Sequence, residues 1–151
     1  YTGALLPEID YIGSDTLAAY FDECIRIYNG SSVPEEGKKI EIDGEILSVF
    51  TGPSYFGCVY SDKETSKQKI SIYGTSGRKK AETDVDIAYT NIVCGTSDIV
   101  LHNGSQILVL SNNGRKKLEF ISEERLNNLV PAGNGRFVMT TENEYRLAKL
   151  K

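Results

Sequence analysis

The residues best placed to do chemistry in this chain are basic, and they recur. Gly37-Lys38-Lys39, Gly77-Arg78-Lys79-Lys80 and Gly114-Arg115-Lys116-Lys117 spell one phrase three times, with the glycines 40 and 37 residues apart. Clustered lysine and arginine raise the local concentration of anions, so the chemistry on offer is non-covalent: attraction of an anionic polymer or a lipid headgroup. The same residues have a plainer use in a sheet protein, because charged side chains, lysine above all, keep an exposed edge strand from pairing with another chain. Metal and redox chemistry have less to work with. Cys24, Cys58 and Cys94 form no CxxC pair, and His102 is the only histidine. A zinc site needs about four such ligands at close spacing, so no metal and no cofactor is expected. The cysteines read as small buried hydrophobes on strands, or as one disulfide with an odd thiol. His102 abuts Asn103-Gly104 and reads as a turn histidine, hydrogen-bonded or solvated, with no Ser/His/Asp set around it. Asn29-Gly30-Ser31 and Asn103-Gly104-Ser105 match a glycosylation acceptor but read as hairpin turns. Gly74-Thr75-Ser76-Gly77 lacks the helix that a phosphate loop leads into.

The elements that carry these residues follow from periodicity. A chain of 151 residues suits one domain, and nine Tyr, no Trp and 14 Gly lean towards strands and turns. In the clearest stretch, Ile92-Val93-Cys94 is followed by Gly95, Ile99-Val100-Leu101-His102 by Asn103-Gly104, and Gln106 to Leu110 by Asn112-Asn113-Gly114. Leu118-Glu119-Phe120 closes the unit. That predicts four short antiparallel strands, a to d, with Asn103-Gly104 as a type I′ turn in which both residues take positive φ. Strand a ends at Gly13, Gly52, Gly95 and Gly133, spaced 39, 43 and 38 residues apart. Strand b is expected at Leu17–Tyr20, Phe56–Val59, Ile99–Leu101 and Phe137–Met139, and strand c at Ile25–Tyr28, Ile70–Tyr73, Ile107–Leu110 and Leu147–Leu150. A period near 40 is that of a four-stranded propeller blade.

The fold expected is therefore all-β and β-propeller-like, with about four blades of four antiparallel strands. The repeats run over 8–43, 45–84, 88–122 and 126–151 within a single domain, 1–151. Residues 1–7 would supply a closing strand for the last blade, whose strand d is missing; otherwise the chain is part of a larger propeller, or one half of it with a second copy as homodimer partner. The residues of 92–114, with Gly95, Asp98, Gly104, Ile107, Val109, Leu110 and Gly114, resemble the propeller superfamily of WD-like and quinoprotein-like blades. The chain is also similar to the extracellular part of a membrane-anchored bacterial family of unknown function. It lacks the Trp-Asp dipeptide and the docking Trp of those blades, so the resemblance carries no quinone cofactor. It implies an extracytoplasmic, cell-surface location with an anchor helix upstream of Tyr1, the chain reading as an excised piece of a longer protein.

Sorting charges by the blade frame places nine of the 17 basic residues on the a–b and c–d side and 14 of the 21 acidic residues on the loops opposite. A net charge of −4 conceals this division and excludes generic nucleic-acid binding, while no segment approaches the ~20 apolar residues of a membrane span. The function expected is a non-catalytic binding or scaffolding module, with a protein or an anionic cell-surface polymer as partner. Its site would be the basic rim: Lys38, Lys39, Arg78, Lys79, Lys80, Arg115, Lys116 and Lys117. The alternative is a propeller hydrolase or lyase working through loop carboxylates such as Asp43 or Asp86, although the channel-lining residues Leu47, Val49, Ile92, Val93, Leu129 and Val130 are apolar.

Overall fold

Alternation of apolar and polar residues, broken by glycine-bearing turns, leaves the backbone one economical way to satisfy its hydrogen bonds, the antiparallel meander. The computed structural model, which describes residues 8–30 and 32–149, consists of four such meanders and contains no helix among those residues. The first sheet is β1 (Glu8–Tyr11), β2 (Thr16–Tyr20), β3 (Cys24–Asn29) and β4 (Glu35–Glu41). The second is β5 (Gly44–Gly52), β6 (Tyr55–Asp62), β7 (Gln68–Gly74) and β8 (Lys79–Asp84). The third is β9 (Asn91–Cys94), β10 (Asp98–His102), β11 (Gln106–Ser111) and β12 (Lys116–Ile121). The fourth has three strands among the described residues: β13 (Asn128–Pro131), β14 (Arg136–Thr140) and β15 (Tyr145–Lys149). In every sheet the strands pair in chain order, as in a propeller blade. The proposed closing strand at residues 1–7 and the end of the last strand c at Leu150 lie outside the described residues.

Two compact units divide the chain between Val85 and Asp86. In the first unit, sheets one and two face each other. Ala18, Tyr20, Ile25, Ile27 and Ile40 of sheet one share a buried cluster with Phe56, Cys58, Tyr60 and Tyr73 of sheet two. Phe56 stacks on Tyr73 with ring centres 5.5 Å apart and meets Tyr20 edge-on at 6.5 Å. In the second unit, Val100, Ile107 and Val109 of sheet three pack with Leu129 and Phe137 of sheet four and with Leu126 from the connection between them. Each fully buried aliphatic side chain of this kind contributes about 1.5–3 kcal/mol.

The Asn103-Gly104 turn differs from the expected type I′. Only Gly104 takes a positive φ, 93°, and the hairpin closes from Asn103 N–H to the Gln106 carbonyl at 3.2 Å. Asn103 stays in ordinary backbone because its side-chain oxygen is occupied, accepting from the N–H groups of Ser105 at 3.0 Å and Gln106 at 2.8 Å.

Candidate functional site

The basic phrase is built into the outermost strands. In sheets two and three its glycine closes the turn between the third and fourth strands. Gly77 (φ 72°) and Gly114 (φ 80°) occupy left-handed backbone, and their N–H groups donate to Gly74 and Ser111 carbonyls at 2.8 and 2.9 Å. The first lysine of each copy then pairs along its own strand: Lys79 Nζ lies 2.5 Å from Glu82 Oε2, and Lys116 Nζ lies 2.6 Å from Glu119 Oε2. The second lysine occupies a β-bulge. The register slips between Ile72 and Tyr73 on β7 and between Val109 and Leu110 on β11, which leaves Lys80 and Lys117 unpaired in the ladder. A bulge re-aims its side chain, and both lysines turn back over the start of the second strand of their own sheet. Lys80 Nζ donates to the Ser54 carbonyl at 3.3 Å and sits 6.0 Å from the centre of the Tyr55 ring. Lys117 pairs with the carboxylate of Asp98, a residue only 1% exposed that also accepts from Ser97 Oγ at 2.9 Å.

The repeated motif thus extends beyond its lysines to a glutamate. Glu82 and Glu119 each stand five residues after the glycine, and that shared spacing was the signal available for finding them.

The first copy requires a correction, because it is out of phase. Gly37 lies inside β4, not in a turn; Ile27 pairs with Lys38 and Tyr28 with Glu36, so Gly37 is the bulge residue, in the place held by Lys80 and Lys117. The letters match, but the ladder counts hydrogen bonds, and the longer connection between β3 and β4 shifts the phrase along the strand. Its lysines are engaged differently. Lys38 Nζ donates to the Gly77 carbonyl at 2.8 Å, tying sheet one to the turn of sheet two, and Lys39 Nζ pairs with Glu41 at 2.5 Å.

Of the eight basic residues expected to form the rim, six are therefore held by partners within the chain: Lys38, Lys39, Lys79, Lys80, Lys116 and Lys117. Arg78 and Arg115 are exposed, and neither side chain has a hydrogen-bond or ion-pair partner among the described residues. An open groove of about 640 Å³ runs along β12, lined by Lys116, Lys117, Glu119, Ile121, Gln106 and Asp86, with Ile87, Leu118 and Phe120 completing it.

A second polar arrangement lies in the first unit, around Glu82. Its Oε2 accepts from Ser71 Oγ at 2.8 Å as well as from Lys79, and the Tyr60 hydroxyl also bonds to it. Burial works against the charge on Glu82, but the bonds from Lys79, Ser71 and Tyr60 together outweigh it and hold the carboxyl below its usual range. Burial, reinforced by Glu82, pushes the Tyr60 hydroxyl above the ordinary tyrosine range. Burial likewise lifts Tyr73 to about 12 and the Cys58 thiol to about 12. The recess has about 10 Å³ of free space, room for about one water, and Asp43 borders it. A carboxylate held low is the reverse of a general acid, and the space admits no substrate. Asp86, the other carboxylate of the hydrolytic alternative, borders the β12 groove, where Glu119 is already paired with Lys116.

His102 is not the hydrogen-bonded or solvated turn residue expected. It ends β10 at 1% exposure, and neither ring nitrogen meets hydrogen-bond geometry with a partner, although the Asn128 side chain lies near enough to favour the charged form. Burial outweighs Asn128 and lowers the imidazole's affinity for a proton. Cys24, Cys58 and Cys94 form no disulfide among the described residues, Cys58 being buried and the other two half-buried. Among the described residues no three His, Cys, Asp or Glu side chains gather closely enough to hold a metal ion, and no helix is long and apolar enough to cross a membrane.

With this geometry established, comparison with known proteins gives a family and a fold. The chain belongs to the Family of unknown function (DUF5711), which it matches over residues 1–150. No curated protein sequence matches it. It is similar to the solved structure of Hsv2p from Kluyveromyces lactis, at 15% identity and a TM-score of 0.58, over 97% of this chain and 46% of that one. The same holds for BBS1N, solved in complex with ARL6DN, at 9% identity and 0.62, over 98% and 52%. PorZ, a bacterial surface component of the type-IX secretion system of Porphyromonas gingivalis, matches at 14% identity and 0.62, over 97% and 21%. These are β-propeller proteins, and at such identities the likeness establishes the fold alone. The chain spans about half the length of the Hsv2p and BBS1N chains.

Proposed function

We propose that this member of a family of unknown function is a non-catalytic binding or scaffolding module, acting outside the cytoplasm, that presents its outer-strand turns to a protein or an anionic cell-surface polymer. The observation that carries this reading is the accounting of the repeated phrase: every lysine is committed internally, while Arg78 and Arg115, at the same step of two successive copies, are exposed and uncommitted. Arginine presents a planar fork of donors suited to carboxylate, sulfate and phosphate groups. Free arginines on a chain of net charge −4 form a local attractor for anions, not a general basic surface. The absence of room for a substrate in the Glu82 recess supports a non-catalytic role. Two of the similar proteins point the same way: BBS1N was solved in a complex, and PorZ is a bacterial surface component.

The test is retention of the purified chain on immobilised heparin, a sulfated anionic polymer, at low salt. Retention is expected to fall sharply in the Arg78→Ser/Arg115→Ser double variant, with unchanged folding by circular dichroism. Equal retention of the wild type and the double variant would remove the arginines from the site. Turnover of a surface polymer abolished by Asp43→Asn or Asp86→Asn would replace the binding module with an enzyme.

A further inference from the structure

The four sheets are not equally covered. Sheet two is apolar and buried on both faces: Phe56, Cys58 and Tyr60 join the core shared with sheet one, and Val59, Ile70 and Ile72 on the opposite face are each 0% exposed. Sheet three is likewise buried on both, with Val100, Ile107 and Val109 on one face and Ile99, Leu101, Leu108 and Leu110 on the other. Sheets one and four each bury one face only.

On the far face of sheet four the register lines up Val130, Val138 and Leu147 as one row across three strands, with Tyr145 opposite Thr140 beside it. Leu147 is 66% exposed and Tyr145 81%. The same face carries Arg136 directly opposite Lys149, and neither has an ion-pair partner among the described residues. Like charges paired across strands repel, so this corner gains from an acidic neighbour. On the far face of sheet one the register gives a row of Tyr11, Leu17 and Tyr28 ending in Glu36, and a row of Ile9 and Ala19 continuing to Arg26 and Lys39. Tyr11 is 74% exposed and Ile9 50%. The acids of this face are Glu36, 2.8 Å from Arg26, and Glu41, 2.5 Å from Lys39. One face is apolar with an uncompensated basic corner; the other is apolar with the Arg26–Glu36 and Lys39–Glu41 ion pairs at its outer edge, their carboxylates 40% and 67% exposed. Apolar rows of this kind, exposed at Ile9 and Tyr11 on one face and at Val130 and Leu147 on the other, mark contact surfaces.

We propose that the far face of sheet four packs on the far face of sheet one of a second copy of this chain. The faces are different, so the contact is head-to-tail, not a face meeting its own duplicate. A second copy also supplies the length that Hsv2p and BBS1N, of which this chain spans 46% and 52%, carry in one polypeptide. The contact is sheet on sheet, like those inside each unit, and does not depend on the anion-binding role of Arg78 and Arg115.

Sedimentation equilibrium on the chain from 5 to about 300 μM tests this, with concentrations chosen to bracket an interface of standard or smaller size. The wild type is expected to approach the mass of two copies. Leu147→Glu puts an acid against the carboxylates of sheet one, and Tyr11→Lys puts a base against Arg136 and Lys149; each is expected to weaken association at least tenfold. An equimolar mixture of the two variants retains one intact pair of faces and is expected to regain association that neither shows alone. Tyr145→Glu, at the most exposed position of the face, serves in place of Leu147→Glu if that variant fails to fold. A wild type that stays monomeric throughout would overturn the proposal and leave both faces to sheets other than those of a second copy. Undiminished self-association of Tyr11→Lys would overturn it too, by showing that like faces pair.

Discussion

The outer strands of sheets two and three carry the same four letters, Gly-Arg-Lys-Lys, in the same register, yet the lysines at their bulges do different work. Lys117 ends on Asp98, a carboxylate shielded from water; Lys80 ends on a backbone carbonyl at 3.3 Å and over the face of Tyr55. The bulge fixes where the ammonium goes, and the residue beginning the second strand fixes what it finds there. Exposed pairs contribute about 0–1 kcal/mol, whereas removing the partner of a buried charge costs considerably more. Sequence equivalence therefore holds for position and fails for energy.

Lys117→Ala gives the largest contrast. It withdraws the cation from buried Asp98 and is expected to cost about 2–3 kcal/mol in urea unfolding. Acidification separates the two units by one proton each. Burial lowers the folded-state pKa of His102 below its ordinary 6.5, so the contribution of neutral His102 to the second unit is fully present above that value and declines as pH falls below it. In the first unit, the hydrogen bonds of Asp62 with Lys69 and Thr65 hold its carboxyl below the ordinary 3.8, so its contribution persists until the pH drops through that lower range. Tyrosine fluorescence and hydrogen exchange between pH 7 and 4 are expected to show the second unit loosening first, and His102→Gln is expected to flatten its response. Lys80→Ala, at the position equivalent to Lys117, is expected to cost about 0.5 kcal/mol or less, since its bond to the Ser54 carbonyl is long and exposed and its ammonium stands 6.0 Å from the centre of the Tyr55 ring. A cost equal to that of Lys117→Ala would erase the contrast. Arg78→Ser and Arg115→Ser are expected to change stability least, within about 0.5 kcal/mol, while reducing heparin retention.

Much of the fold was legible because it depends on local rules. Gly52 ends β5, Gly95 and Gly133 lie just beyond β9 and β13, and the alternating Ile70–Tyr73 and the continuous apolar run Ile107–Leu110 marked β7 and β11. The phase of the first basic phrase was not legible, because a bulge at Gly37 is set by pairing with Ile27 and Tyr28, residues ten and nine positions earlier. Nor could spacing show that His102, beside a turn, would be sealed from water, since its burial depends on residues brought from other strands. The site was half visible: the sequence marked eight basic residues, and the structure accounted for six of them internally.

The sequence by itself determined the antiparallel meanders, their order and the outer position of the basic phrase, because alternation, turn glycines and short connections act within about 40 residues. Only tertiary structure decided which cations are free and which apolar faces are bare. Both depend on what stands opposite a side chain in space: Asp98 beneath Lys117, Gly77 beside Lys38, nothing of this chain among the described residues beside Arg78 and Arg115. A charge acquires its role from that neighbour, and the neighbour is chosen by the register of the strands.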